Sequence, residues 1–158
     1  MSSPKKVINE LLVEVFNHIL SIEGQTLKKR GVKLSMNEVH VLEAIQSNKP
    51  VVALESTIIS HGMPYPQNVS TARQCQEIIE SHGVLAATIA IIDGDIVVGL
   101  TDDEIEYIAN KEVEVLKVSR KDIPMAIARN TCGALTVSAT MAICEMVGIK
   151  FFATGGIG

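Results

Sequence analysis

Apolar residues recur at helical spacing in the first part of the chain and gather into short continuous runs in the second. Val7, Ile8, Leu11, Leu12, Val15, Phe16, Ile19 and Leu20 place a single stripe on a helix of about four turns. Gly24 and the basic cluster Lys28-Lys29-Arg30-Gly31 interrupt or end it. Ser35 with Glu38 has the form of a capping box opening a second helix, whose apolar side comes from Val39, Val41, Leu42 and Ile45.

Beyond residue 47 the pattern changes. Val51-Val52-Ala53-Leu54, after Pro50, reads as a buried strand, and Gly62, Pro64 and Pro66 make the next stretch a loop. Ser70 is expected to cap a helix over about 71–82, with Ile78 and Ile79 facing inward and Gly83 ending it. Thr88 to Ile92 reads as a strand, turned by Asp93-Gly94 into Ile96-Val97-Val98 as a hairpin. Thr101 with Glu104 repeats the capping-box pattern. Val113 to Val118 is strand-like, residues 136–147 form an apolar helix, and Ile149 to Ala153 starts another buried strand. Strands alternating with helices predict α/β layering, with Val51–Leu54, Thr88–Ile92 and Ile149–Ala153 as central strands.

Composition narrows this picture. Of the 158 residues 47% are hydrophobic, enough to bury a real core, yet aromatics are only 3% and Trp is absent. The core must therefore be aliphatic, and a surface that stacks bases on aromatic rings is excluded. The net charge of −4 leaves no electrostatic footprint for nucleic acid. Cys75, Cys132 and Cys144 lack metal-ligand spacing and read as reduced, buried thiols of a cytoplasmic protein. The basic start leads into an amphipathic helix rather than a signal sequence, and no apolar run is long enough to span a bilayer, so no membrane partner is expected.

Candidate chemistry concentrates in Ala53-Leu54-Glu55-Ser56-Thr57-Ile58-Ile59-Ser60-His61-Gly62-Met63-Pro64-Tyr65-Pro66-Gln67-Asn68. Here a carboxylate follows a buried strand and precedes a loop rich in Ser, Thr, His and Asn. Open α/β sheets bind ligands at such strand ends, where a carboxylate can serve as a general acid. Taken alone, Glu55 could equally cap a helix or pair with a lysine. His61 stands between a substrate hydrogen bond and a role in shaping the loop.

That stretch resembles the signature of the pseudouridine-5'-phosphate glycosidases, the indigoidine synthase A-like family. The likeness continues through Ala87–Ile92, Val98–Thr101, Lys117–Pro124, Gly133–Met141 and Phe152–Gly158, in order and almost gapless over residues 49–158. It implies a layered α/β/α fold, here a partial domain preceded by a helical segment. It also implies cleavage of the C–C glycosidic bond of pseudouridine 5'-phosphate to uracil and ribose 5-phosphate. In the family a lysine attacks the anomeric carbon, a glutamate handles protons and manganese (Mn2+) organises the site. Carried over by motif, Glu55 is the proton donor, Lys117 contacts substrate through its phosphate, and Val137 is a substrate-binding position. Leu135 departs from the family, which often carries Thr there. The resemblance further implies a homo-oligomer, a trimer.

In the family, the segment after Thr-Gly-Gly-Ile-Gly carries the metal-binding aspartate, a Ser-Ala-Asp substrate loop and the nucleophilic lysine. The chain is thus expected to hold the acid and one substrate lysine without the nucleophile or metal ligand, and to be inactive as it stands. Residues 1–46 resemble the opening of a MarR-type regulator in Ile22-Glu23, Leu27–Val32 and Leu34–Ile45, with no recognition helix before residues 47–158 take up the glycosidase pattern. Such a hairpin could mediate dimerisation but could not read a major groove. The alternative to the enzyme is therefore a MarR-like helical dimerisation or regulatory protein, or an inert fused fragment.

Overall fold

The computed structural model describes residues 34–110 and 112–157. The amphipathic stripe from Val7 to Leu20 and the basic cluster at 28–30 lie outside the described residues.

Helix α1 (Met36–Gln46) starts as its sequence demands: Ser35 Oγ accepts from Glu38 N at 3.2 Å, and Glu38 Oε2 accepts from Ser35 N at 2.9 Å. Strand β1 (Val51–Leu54) follows, then a π-helical turn over Ile58–Gly62 inside the stretch expected to be plain loop. Helix α2 runs Gln67–Ser81. Its N-cap is Pro66 rather than Ser70, which sits inside the first turn and donates to Gln67 O. Ile78 faces outward and is 61% exposed, contrary to expectation, while Gly83 ends the helix at φ +73°.

Strand β2 (Leu85–Ile92) and β3 (Asp95–Val98) form the expected hairpin. Asp93 (φ 50°) and Gly94 (φ 88°) supply the two left-handed residues that a tight hairpin turn needs. Helix α3 (Asp102–Ala109) opens on the Thr101–Glu104 capping box. Then come β4 (Val115–Val118), a 3-10 turn at Arg120–Asp122, α4 (Ile123–Ala128), β5 (Cys132–Leu135), α5 (Val137–Val147) and β6 (Phe151–Ala153).

The sheet order is β4-β5-β2-β1-β6, with β3 paired to β2. The long β2 holds it together. Its first half runs parallel to β1 and its second half antiparallel to β3 and β5. Alternation along β2 sorts the core into two. Ala87, Ile89 and Ile91 pack with Val41 and Ala44 of α1, Ile123 and Ala126 of α4, and Ala139, Ile143 and Cys144 of α5. Ala90 packs in a second cluster with Val69 and Ala72 of α2 and Ile105, Ile108 and Ala109 of α3. Helices therefore cover both faces, the α/β/α layering expected. Gly133 matters for packing density: a Cβ there would lie 2.5 Å from Val118 Cγ2. Strand β6 departs from expectation. Among the described residues it is an edge strand, and Phe151 is 65% exposed, where a buried central strand was anticipated.

Candidate functional site at the strand ends

The carboxyl ends of two parallel strand pairs meet in one region. The β1–β6 register pairs Leu54 with Ala153, so Glu55 and Thr154 leave adjacent strands side by side. The β4–β5 register pairs Val118 with Leu135, so Ser119 and Thr136 do the same. The two pairs approach head-on along β2, where Leu54 lies opposite Thr88 and Ala134 opposite Ala90. This reversal of direction at carboxyl ends is the kind of place where α/β sheets bind ligands.

Ser56 occupies the meeting point. It is fully buried, its hydroxyl donates to Ile89 O at 2.7 Å, and it accepts from Leu135 N at 2.8 Å. Thr57 Oγ1 donates to Leu135 O at 2.7 Å. Two side chains thus satisfy both backbone groups of Leu135, standing in for a neighbouring strand where β5 runs past its pairing with β2. The rest of the loop is held the same way. Ser60 Oγ donates to Ile108 O at 3.0 Å. Asn68, 1% exposed, donates to Ile59 O at 2.6 Å and to Ala109 O at 3.1 Å.

Glu55 is half-buried and lines a cavity of about 360 Å³ between β1, β6 and α2. The walls are mostly apolar, including Ile58, Ile59, Ile78 and Ile79, and Glu55 is the one carboxylate among the lining residues. Thr154 Oγ1 donates to Glu55 Oε1 at 2.5 Å. A single carboxylate in a largely apolar hollow, held by one hydroxyl, is suited to giving or taking a proton.

The other two candidates are not on that wall. Val137 is the first residue of α5, half-buried; the side chain of its N-cap Thr136 accepts no hydrogen bond from the helix amides and pairs instead with the Ser138 hydroxyl at 3.3 Å. The amides of the first turn therefore lack a capping oxygen, and the helix dipole favours an anion there. Ser138 Oγ accepts from Arg120 N at 3.4 Å, joining this turn to the one after β4. Lys117 lies on β4 opposite Ala134, exposed, with no ion pair or side-chain hydrogen bond among the described residues. The structure thus ties Glu55 to the start of α5 through Ser56 and Leu135. It leaves Lys117 on the neighbouring strand, outside the Glu55 cavity. His61 is exposed and borders a separate hollow with Met63 and Val115.

Nearby titrating groups are structural. Ser119 donates through both its hydroxyl and its N–H to the Asp122 carboxylate, which holds that acid below its ordinary range and fixes the 3-10 turn. Burial pushes the Cys132 and Cys144 thiols up. Cys75, expected to be buried, is exposed and borders the Glu55 cavity. Among the described residues there is no cluster of three or more His, Cys, Asp or Glu that could hold a metal ion. Nor, among them, is any helix long and apolar enough to cross a membrane.

Sequence reasoning singled out Glu55 but not Ser56, Thr57 and Asn68 as clamps, nor Thr154 as its partner. The dense run of small polar residues after β1 was the available signal for the clamps. Thr154 offered none, lying 99 positions from Glu55.

The model of the family described as "Indigoidine synthase A like protein" matches residues 40–158. A pseudouridine-5'-phosphate glycosidase of Clostridium botulinum is 58% identical over 118 residues, covering 75% of this chain and 38% of the relative. That of Petrotoga mobilis is 54% identical over the same shares. Among solved structures, an indigoidine synthase A-like protein from Thermotoga maritima aligns with a TM-score of 0.64 at 34% identity, over 69% of this chain and 37% of that one. The prealnumycin C-glycosynthase AlnA, solved with ribulose 5-phosphate, aligns with a TM-score of 0.66 at 39% identity, over 75% and 38%. The chain spans about two-fifths of the length of these relatives.

Proposed function

The chain belongs to the indigoidine synthase A-like protein family, and from that premise we propose that it contributes the acid and the phosphate-binding part of a pseudouridine-5'-phosphate glycosidase site. The observation that carries the proposal is Glu55 at the meeting of the strand ends, the one carboxylate lining an otherwise largely apolar cavity. The substrate's uracil is joined to ribose by a carbon–carbon bond. When that bond breaks, its electron pair stays on the uracil carbon, which must be protonated. Glu55 delivers that proton. The 5'-phosphate sits against the uncapped first turn of α5, where the Val137 amide and its neighbours point at an anion, and Lys117 on the adjacent strand adds a positive charge. The pentose phosphate bound by the C-glycosynthase relative supports this substrate class.

No lysine lines the Glu55 cavity, so the amine that attacks the anomeric carbon in this family is not assigned to a residue described above. The assignment carries with it, from the resemblance alone, a manganese ion, a trimeric assembly and a cytoplasmic place of action. No step above passes through the metal.

The test measures uracil release from pseudouridine 5'-phosphate with manganese present. It uses the full chain alone and mixed with the segment of a relative outside the match. Release is expected in the mixture, and Glu55→Gln should lower kcat by about 10²–10⁴-fold while substrate binding persists. Lys117→Ala should instead weaken binding of the phosphorylated substrate about tenfold, a lost charge contact of ~1–2 kcal/mol. No release in either arrangement, or full activity of Glu55→Gln, overturns the proposal.

A further inference from the structure

Thr154 makes the one side-chain hydrogen bond that Glu55 receives among the described residues, and its geometry says more than that the two touch. The hydroxyl has a single proton and two acceptors within reach: Glu55 Oε1 at 2.5 Å and Gly156 O at 3.1 Å. The N–H of Gly156 donates to Thr154 Oγ1 at 3.2 Å. That bond occupies a lone pair of the hydroxyl oxygen and makes its proton a better donor. The shorter contact and the stronger acceptor both send the proton to Glu55 Oε1. An oxygen already accepting so short a bond is the poorer site for a second proton, so the carboxyl proton belongs on Oε2.

We propose that Thr154 is a positioning residue for Glu55: its hydroxyl, held by the Gly156 amide, selects Oε2 as the oxygen that carries and delivers the proton. This rests on Glu55 being the acid of the reaction proposed above. It also assigns a purpose to the β1–β6 pairing. The Leu54–Ala153 register sets the two residues side by side, and a slip of one residue would turn Thr154 to the opposite face of the sheet. The short Thr154-Gly155-Gly156 segment then closes the arrangement, since Gly155 and Gly156 have open space where a side chain would stand.

Thr154→Val keeps the shape and removes the hydroxyl, whereas Thr154→Ser keeps the hydroxyl. Two measurements separate positioning from chemistry. In the arrangement that releases uracil, Thr154→Val should lower kcat by about 10–100-fold with KM within about twofold, and Thr154→Ser should stay within about threefold of the parent. Independently of turnover, carbon-13 NMR of the full chain, with the Glu55 carboxyl signal identified by its loss in Glu55→Gln, should show that signal displaced in Thr154→Val and near its parental place in Thr154→Ser. An unmoved signal, or a Thr154→Ser variant as impaired as Thr154→Val, overturns the positioning role. A displaced signal in a protein that never releases uracil upholds the contact and sinks the glycosidase assignment instead.

Discussion

The segments that leave β1 and β6 start side by side at one end of the sheet, yet they are built in opposite ways. After β1, Ser56, Thr57, Ser60 and Asn68 send side chains to backbone groups of β2, β5 and α3, and Ser56 and Asn68 are almost wholly buried. After β6, one half-buried threonine bridges to Glu55 and Gly156, and the residues beyond it are exposed. The first segment is part of the core and holds a strand end in place. The second shapes a carboxylate without contributing much to the fold. A buried polar group left unpaired costs about 1–3 kcal/mol, whereas an exposed one turns to water. Neighbouring segments can therefore divide the work, one giving rigidity and the other orientation.

Substitutions can break or sharpen that contrast. Asn68→Ala should have the largest effect, because it strands the carbonyls of Ile59 and Ala109 and opens a void; a loss of about 3 kcal/mol in urea-induced unfolding is expected. Ser56→Ala removes a smaller group but leaves Ile89 O and Leu135 N unpaired. It should cost about 2 kcal/mol and speed hydrogen exchange at the Leu135 amide more than at amides of the β1–β2 ladder. Thr154→Val should change unfolding stability by no more than about 0.5 kcal/mol, so that any loss of turnover in that variant reports on Glu55. If Thr154→Val unfolds as readily as Ser56→Ala, the division of labour between the two segments is wrong.

Much of the fold was legible along the chain. Both capping boxes, the Asp93-Gly94 hairpin and the Gly83 stop were read from local residues, because each depends on contacts within a few positions. The start of α2 was misjudged for a local reason as well. Ser70 is a good cap, but Pro66 also suits a helix start, and the pull of the buried Asn68 and Val69 favours the earlier beginning. Ile78 and Cys75, three positions apart, share a face of α2, and both are exposed.

The placement of β6 could not be read this way. Phe151-Phe152-Ala153 is as apolar as β1, yet only the sheet order decides whether a strand has neighbours on both sides. The same holds at the candidate site. The sequence by itself determined that a carboxylate would follow a buried strand and enter a loop crowded with small polar residues, because period and punctuation are local properties. Only the tertiary structure decided that Ser56 would reach Leu135 and that Thr154 would reach Glu55. Those pairings lie 79 and 99 positions apart, and they follow from strand register and sheet order, which emerge when the whole core packs rather than from any one stretch of chain.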